Sequence, residues 1–237
     1  MPAKPPSAQP LPDPTQALLD AGLQHAVLMR AMPVLRHDLA SPLSVMRMGT
    51  MLLKRRLGRG DMTPEQAVER VEQIEEQLAE ITRQIQRLRQ WDLQVTQRLG
   101  VRALVAEAIE LARPMLLVRG TEMQVLADDA AGWSPDAQSP HTLLYVVLAA
   151  IYHLAEQPGP IPAHIAVEPV GSHGVRVRTQ GISTSQGHAL LQSTGHSVTA
   201  TQPPALDEAA LQQLAKPLGI AVRVSSAQVD ISLPGAG

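Results

Sequence analysis

The sequence predicts an α+β protein, with an N-terminal antiparallel helical hairpin over residues 15–100 followed by an α/β sandwich over residues 101–237. Three observations predict it. Two apolar seams with heptad spacing stand on either side of a glycine-containing break. The pattern changes to short mixed segments after Leu99-Gly100. A 237-residue chain that is 44% hydrophobic is also long enough to bury a core in each of two small domains.

Residues 1–14 hold six prolines and no hydrophobic stretch, so they are expected to form a disordered arm, neither signal peptide nor anchor. From Thr15 to Leu57 the pattern is helical. Leu39, Leu43, Met46, Thr50, Leu53 and Leu57 form a seam at spacings of 4, 3, 4, 3 and 4. Pro33 and Pro42 lie inside it, each removing a backbone donor, so a kink or loosened turn is expected at either site. Gly58 and Gly60 in KRRLGRG break the helix. Thr63, Pro64 and Gln66 then read as a capping box opening a second helix, whose seam is Ala67, Val71, Ile74, Leu78, Ile81, Ile85 and Leu88. A lone hairpin buries too little to be stable. The expected solution is a homodimer whose two hairpins make a four-helix bundle.

In the second half, Val101–Val118 reads as an amphipathic helix, Met123–Leu126 as a short strand, and Ser139-Pro140 as the opening of a helix reaching about Glu156. His164–Val167 and Val175–Arg178 read as strands around a glycine turn. Residues 183–205 read as a mobile polar loop, Leu206–Leu218 as a helix, and Ala221–Val224 with Gln228–Leu233 as a final strand pair. The sheet is expected to be mostly antiparallel with helices on one face.

Composition narrows the function. With no cysteine, a disulfide scaffold, a thiolate zinc site and a thiol nucleophile are excluded. The longest apolar run, Leu143–Tyr152, is about half a membrane span, so no membrane segment is expected and the protein is read as soluble and cytoplasmic. Residues 1–100 carry 13 Lys and Arg against 11 Asp and Glu, residues 101–237 carry 7 against 11, and aromatic residues make up 2%. That is neither the basic excess nor the stacking surface of a nucleic-acid binder. The remaining histidines lack metal-ligand spacing, and Ser183, Ser185 and Ser193 lack a nucleophile elbow. His153 reads as a hydrogen-bonded core or boundary residue. Lys54, Arg55, Arg56 and Arg59 read as a solvated hairpin tip, and Met48 as part of an adaptable surface on the face of His37.

The chemistry-bearing stretch is Arg36-His37-Asp38-Leu39-Ala40-Ser41-Pro42-Leu43. At about 100° per residue, His37 lies roughly 200° from Leu39 and 180° from Met46, so its ring points away from the seam. An exposed neutral imidazole is a nitrogen nucleophile near physiological pH, and an adjacent carboxylate can orient the ring.

HDLASPL resembles the H-box of histidine kinases and related phosphotransferases, and residues 17–100 resemble their dimerisation and histidine-phosphotransfer hairpin. The resemblance implies His37 as phosphoacceptor and Asp38 as its acid/base partner. It also places Ser41 where phosphatase members carry a polar residue that orients water. The second half is similar in element order to the ATP-binding domain of those kinases, in degenerate form. The two asparagine positions of the nucleotide-binding helix read Ala150 and Leu154-Ala155, the adenine-binding aspartate reads Thr179, and the glycine-rich lid reads TQPPAL. Magnesium and phosphate then lack their oxygen and amide ligands. The whole resembles the ChpT-type histidine phosphotransferases. This implies a homodimer that passes phosphoryl groups between response-regulator receiver domains, binds no cofactor of its own, leaves Mg²⁺ to the receiver, and keeps its second domain as a docking wall. An autokinase or phosphatase with a divergent nucleotide site, and a non-enzymatic adaptor that sequesters a response regulator, are the alternatives.

Overall fold

The computed structural model describes residues 14–88, 97–124, 132–133, 138–171, 173–183 and 204–234. The expected disordered arm, apart from Pro14, and most of the expected mobile loop lie outside the described residues.

Helix α1 spans Pro14–Arg59 without interruption, passing through Pro33, Pro42 and Gly58. The helix therefore runs through Gly58, the first of the two expected breaks, and stops at the second. Gly60, at φ 69°, supplies the left-handed residue that ends the helix, and its N–H bonds the Leu57 carbonyl at 3.1 Å. Helix α2, Pro64–Leu88, starts on the expected capping box. The Gln66 N–H donates to Thr63 Oγ1 and the Thr63 N–H donates to Gln66 Oε1, both at 3.3 Å. The Glu65 carboxyl in this first turn is held below its ordinary value by a backbone N–H and the Thr63 hydroxyl.

The two seams divide in half. Leu39, Met46 and Leu53 of α1, with Ala67, Ile74, Ile81 and Leu88 of α2, are partly covered in the hairpin interior. At Gly49 a Cβ would stand 3.5 Å from Ile74, in ordinary van der Waals contact across the hairpin. The alternate positions Leu43, Thr50, Leu57, Val71, Leu78 and Ile85 are all exposed, forming a stripe of six residues down one side of the hairpin.

The N-terminal half of α1 does something the heptad does not announce. Leu23, Ala26, Val27, Ala31 and Leu35 are buried in one core with α3 (Val101–Val118) and α4 (Leu143–Glu156). Helix α4 is apolar all round and buried from Leu143 through Tyr152, as a helix packed on every side must be. It begins at Leu143 rather than at Ser139. Residues Gln138–Pro140 instead form a strand, β3, pairing antiparallel with β1 (Arg98–Gly100), and neither strand was expected.

The main sheet has the order β2-β4-β5-β7-β6, with β2 (Glu122–Met123) parallel to β4 (Pro162–Val170). The pairings of β4 with β5 (Gly174–Ile182), β5 with β7 (Gln228–Ser232) and β7 with β6 (Ala221–Val224) are antiparallel. Ile165, Val167, Val175, Val177, Val229 and Ile231 point into the helical layer and are buried. The other face carries ion pairs, Arg176 with Asp230 at 2.7 Å and Arg178 with Glu168 at 3.0 Å. Helix α5 (Glu208–Ala215) is capped by Asp207, whose carboxylate accepts from the Ala210 N–H at 2.9 Å, and runs into a 3₁₀ turn at Lys216–Leu218.

Candidate functional site

Helix α1 carries all three residues of the expected site. His37 stands with its side chain 79% exposed, and its Nδ1 lies 3.4 Å from Asp38 Oδ1. Asp38 is more enclosed and also makes further interactions. When Nδ1 carries the proton and donates to Asp38, the lone pair of Nε2 is left facing outward. Ser41 is exposed one turn further on, and Ser44 and Met48 continue the same stripe. Pro42, buried against the hairpin interior, has no N–H for the Asp38 carbonyl, so the turn behind the histidine lacks one helical hydrogen bond. The geometry therefore brings His37 and Asp38 together and places Ser41 one turn further along the helix.

Two depressions flank the histidine along α1. Toward the C-terminus, Ser44, Val45, Met48, Gly49 and Leu52 face Arg70, Gln73, Ile74 and Gln77 of α2 around a shallow groove of about 260 Å³. Toward the N-terminus lies a cavity of about 680 Å³. On α1 it is lined by Arg30, Pro33, Val34, His37 and Asp38, and on α3 and its end by Pro114, Met115, Val118 and Arg119. The α1 residues recur at i, i+3, i+4, i+7 and i+8, so they form a single helical stripe that ends on the His37 ring.

The wall formed by α3 is fixed to α1 through Glu156 at the end of α4. Arg30, its side chain 8% exposed, donates from Nε and Nη2 to the two Glu156 oxygens at 2.9 and 2.7 Å, from Nη1 to the Ala26 carbonyl, and from Nη2 to the Pro204 carbonyl. Arg119 reaches the same carboxylate only at 3.6 Å and the Ala155 carbonyl at 3.4 Å. Nearby, the Tyr152 hydroxyl is buried with no hydrogen-bond partner among the described residues, and burial pushes its pKa up. Sequence reasoning missed Arg30, Arg119, Met115 and Val118. Only Arg30 left a local signal, two turns before His37 on its own stripe.

The positions expected to have lost nucleotide ligands are apolar and packed or engaged elsewhere. Ala150 and Leu154 are buried in the core, and the Thr179 N–H and hydroxyl both bond the Ala227 carbonyl. His153 has the hydrogen-bonded boundary position expected of it. Its Nδ1 lies 2.7 Å from the Leu206 carbonyl and its Nε2 2.9 Å from Gln157 Nε2, which together fix the neutral Nδ1–H tautomer and pin the segment before α5 to α4. Among the described residues no three His, Asp or Glu side chains converge as a metal site, and no helix is long and apolar enough to cross a membrane.

No family model matches the chain, and no curated protein matches it. Among solved structures, it is similar to the cytoplasmic segment of the histidine kinase QseC, at 12% identity over 67% of this chain and 93% of that one, with a TM-score of 0.38. It is similar to a bacterial phosphotransferase at 13% identity over 94% and 98%, TM-score 0.34. It is also similar to the Acinetobacter baumannii histidine kinase AdeS at 12% identity over 85% and 98%, TM-score 0.36.

Proposed function

We propose that this chain is a dimeric histidine phosphotransfer protein of two-component signalling, relaying a phosphoryl group between receiver-domain aspartates through His37 without nucleotide. The observation that carries this reading is the bare Nε2 of an imidazole that stands 79% exposed, with Asp38 behind its other nitrogen.

In the forward step the Nε2 lone pair of His37 attacks the phosphorus of a receiver's aspartyl phosphate. The P–N bond forms as the P–O bond to the aspartate breaks, and the receiver recovers its carboxylate. The ring becomes a cationic phosphoimidazole. Asp38 stabilises it by accepting the Nδ1–H bond, and the reverse step delivers the group to a second receiver. The groove at Val45, Met48 and Leu52 seats the partner about two to four turns from the ring, where exposed methionine adapts to more than one apolar surface. In this reading Ser41, exposed one turn beyond His37, orients a water rather than reacting itself. Mg²⁺ belongs to the receiver's acidic pocket. Packed Ala150 and Leu154 have no oxygen for a hard cation, which supports a reaction without ATP.

The exposed stripe of Leu43, Leu57, Val71, Leu78 and Ile85 supports pairing of two hairpins as a four-helix bundle. The test incubates the full chain with phosphorylated receiver domains of the same cell, beside Mg-ATP alone. Acid-labile label on wild type from receivers only, lost in His37→Gln, is the expected result. Label from ATP alone favours the autokinase, and receiver binding without transfer favours the adaptor.

A further inference from the structure

We infer that the cavity between α1 and α3 is a second docking subsite for the receiver domain, filled by an apolar side chain of the receiver whose acidic flank meets Arg119. This rests on the phosphotransfer reading of His37 and adds to it the element that selects the partner.

Four observations carry the inference. The first is position. The α1 wall of the cavity ends on His37 and Asp38, so whatever occupies it lies within two turns, about 10 Å along the helix, of the reacting nitrogen. The second is chemistry, because Pro33, Val34, Pro114, Met115 and Val118 give apolar walls, and Val118 stands 62% exposed with nothing among the described residues covering it. An apolar residue left exposed in a concave surface beside a reactive group is suited to an anchor from outside.

The third is charge. Glu156 gives both oxygens to Arg30 at 2.7 and 2.9 Å, whereas among the described residues Arg119 makes only contacts of 3.4 and 3.6 Å, so there the end of the cavity away from His37 carries a surplus cation. Helix α1 is itself basic, with seven Lys and Arg against two Asp between Pro14 and Arg59, and Arg36 and Arg47 are exposed around the histidine. The chemistry that fits is a protein surface with carboxylates beside its reacting group, which is what an aspartyl-phosphate donor with a Mg²⁺ pocket must have. The fourth is preorganisation. Arg30 and the shared core hold α3 and α1 as one body, so both walls are in place before a partner arrives and docking carries no cost for ordering them.

Helix α3 is therefore the selecting element, and its exposed residues can be changed without touching the His37 machinery. Val118→Asp puts a carboxylate in the groove facing the receiver's own acidic surface. Leu117→Asp, on the same helix and equally exposed but outside the lining, is the control.

The experiment measures phosphoryl transfer to the full chain from purified phosphorylated receiver domains, and in parallel the labelling of His37 by phosphoramidate, a donor too small to need docking. Val118→Asp is expected to slow receiver transfer by about tenfold or more, with Arg119→Gln weakening it and reducing its salt dependence. Leu117→Asp and phosphoramidate labelling of every variant should match wild type. Receiver transfer by Val118→Asp at the wild-type rate overturns the inference while leaving the phosphotransfer reading intact. Wild type that takes label from phosphoramidate but from no receiver overturns both. Unchanged receiver transfer combined with lost binding of the amphiphile 8-anilinonaphthalene-1-sulfonate would assign the cavity to a small molecule and also overturn the inference.

Discussion

Truncating Leu78 should weaken self-association by an amount the structure allows to be worked out. The side chain is 53% exposed on the apolar stripe of α2. Burying a leucine completely is worth about 1.5–3 kcal/mol, so covering the remaining half contributes roughly 1 kcal/mol. A two-fold interface uses the residue twice, which gives about 2 kcal/mol per dimer, or about a thirtyfold rise in Kd for Leu78→Ala. Val71 and Ile85 are exposed to a similar degree on the same stripe, so the triple alanine variant should sediment as a monomer. Met48 lies on the histidine side of the hairpin, and Met48→Ala should associate like wild type. Sedimentation equilibrium with the full chain measures all four proteins. Wild type that stays monomeric at every concentration, or a Leu78→Ala Kd equal to wild type, would refute the assignment of this stripe to a second copy.

Glu156→Gln leaves the nearly buried Arg30 guanidinium without its counter-charge, and urea unfolding should show a loss of about 3 kcal/mol. Tyr152→Phe removes a buried hydroxyl that has no partner among the described residues, so the same measurement should show unchanged or increased stability, by about 1 kcal/mol at most. At Asp230 burial pushes the carboxyl up, but hydrogen bonds from Arg176 and Gln228, with the charges of Arg176 and Arg223, outweigh it and hold the group below its ordinary 3.8. A lowered folded value means stabilisation that is complete above the ordinary value and disappears as pH falls through the lowered one. Asp230→Asn should therefore flatten the acid limb of stability between about pH 5 and pH 2 and change little of the slope above it.

What could be read from the sequence was local. The capping box needs only Thr63 and Gln66 three residues apart, and the α2 seam repeats within one helix. The outward aim of His37 follows from its angle to Leu39 and Met46. Pairings across long separations could not be read in this way. Strands β1 and β3 are three residues each, RLG and QSP, with no β-branched residue, and they exist because residues 40 positions apart pair in register. Arg30 and Glu156 are 126 residues apart, and neither type of residue specifies its partner. The apolar stripe at Leu23, Ala26, Val27, Ala31 and Leu35 has clear helical spacing, but periodicity reports that a face is buried and not what buries it.

That last stripe changes the role of α1. Its C-terminal half answers to α2 and to the exposed heptad, its N-terminal half to the core of the sheet domain, and His37 lies where the two regimes meet. Residues at i, i+3 and i+4 on a rigid helix keep a fixed azimuth relative to one another, so anchoring Leu23–Leu35 in one core also sets the direction in which His37 points from the other. Pro42 frees one carbonyl just beyond the ring, at the junction of the two halves, where a helix bent by docking would yield first. The sheet domain thus sets the direction of the His37 ring by orienting one helix, through burial and the Arg30–Glu156 clamp.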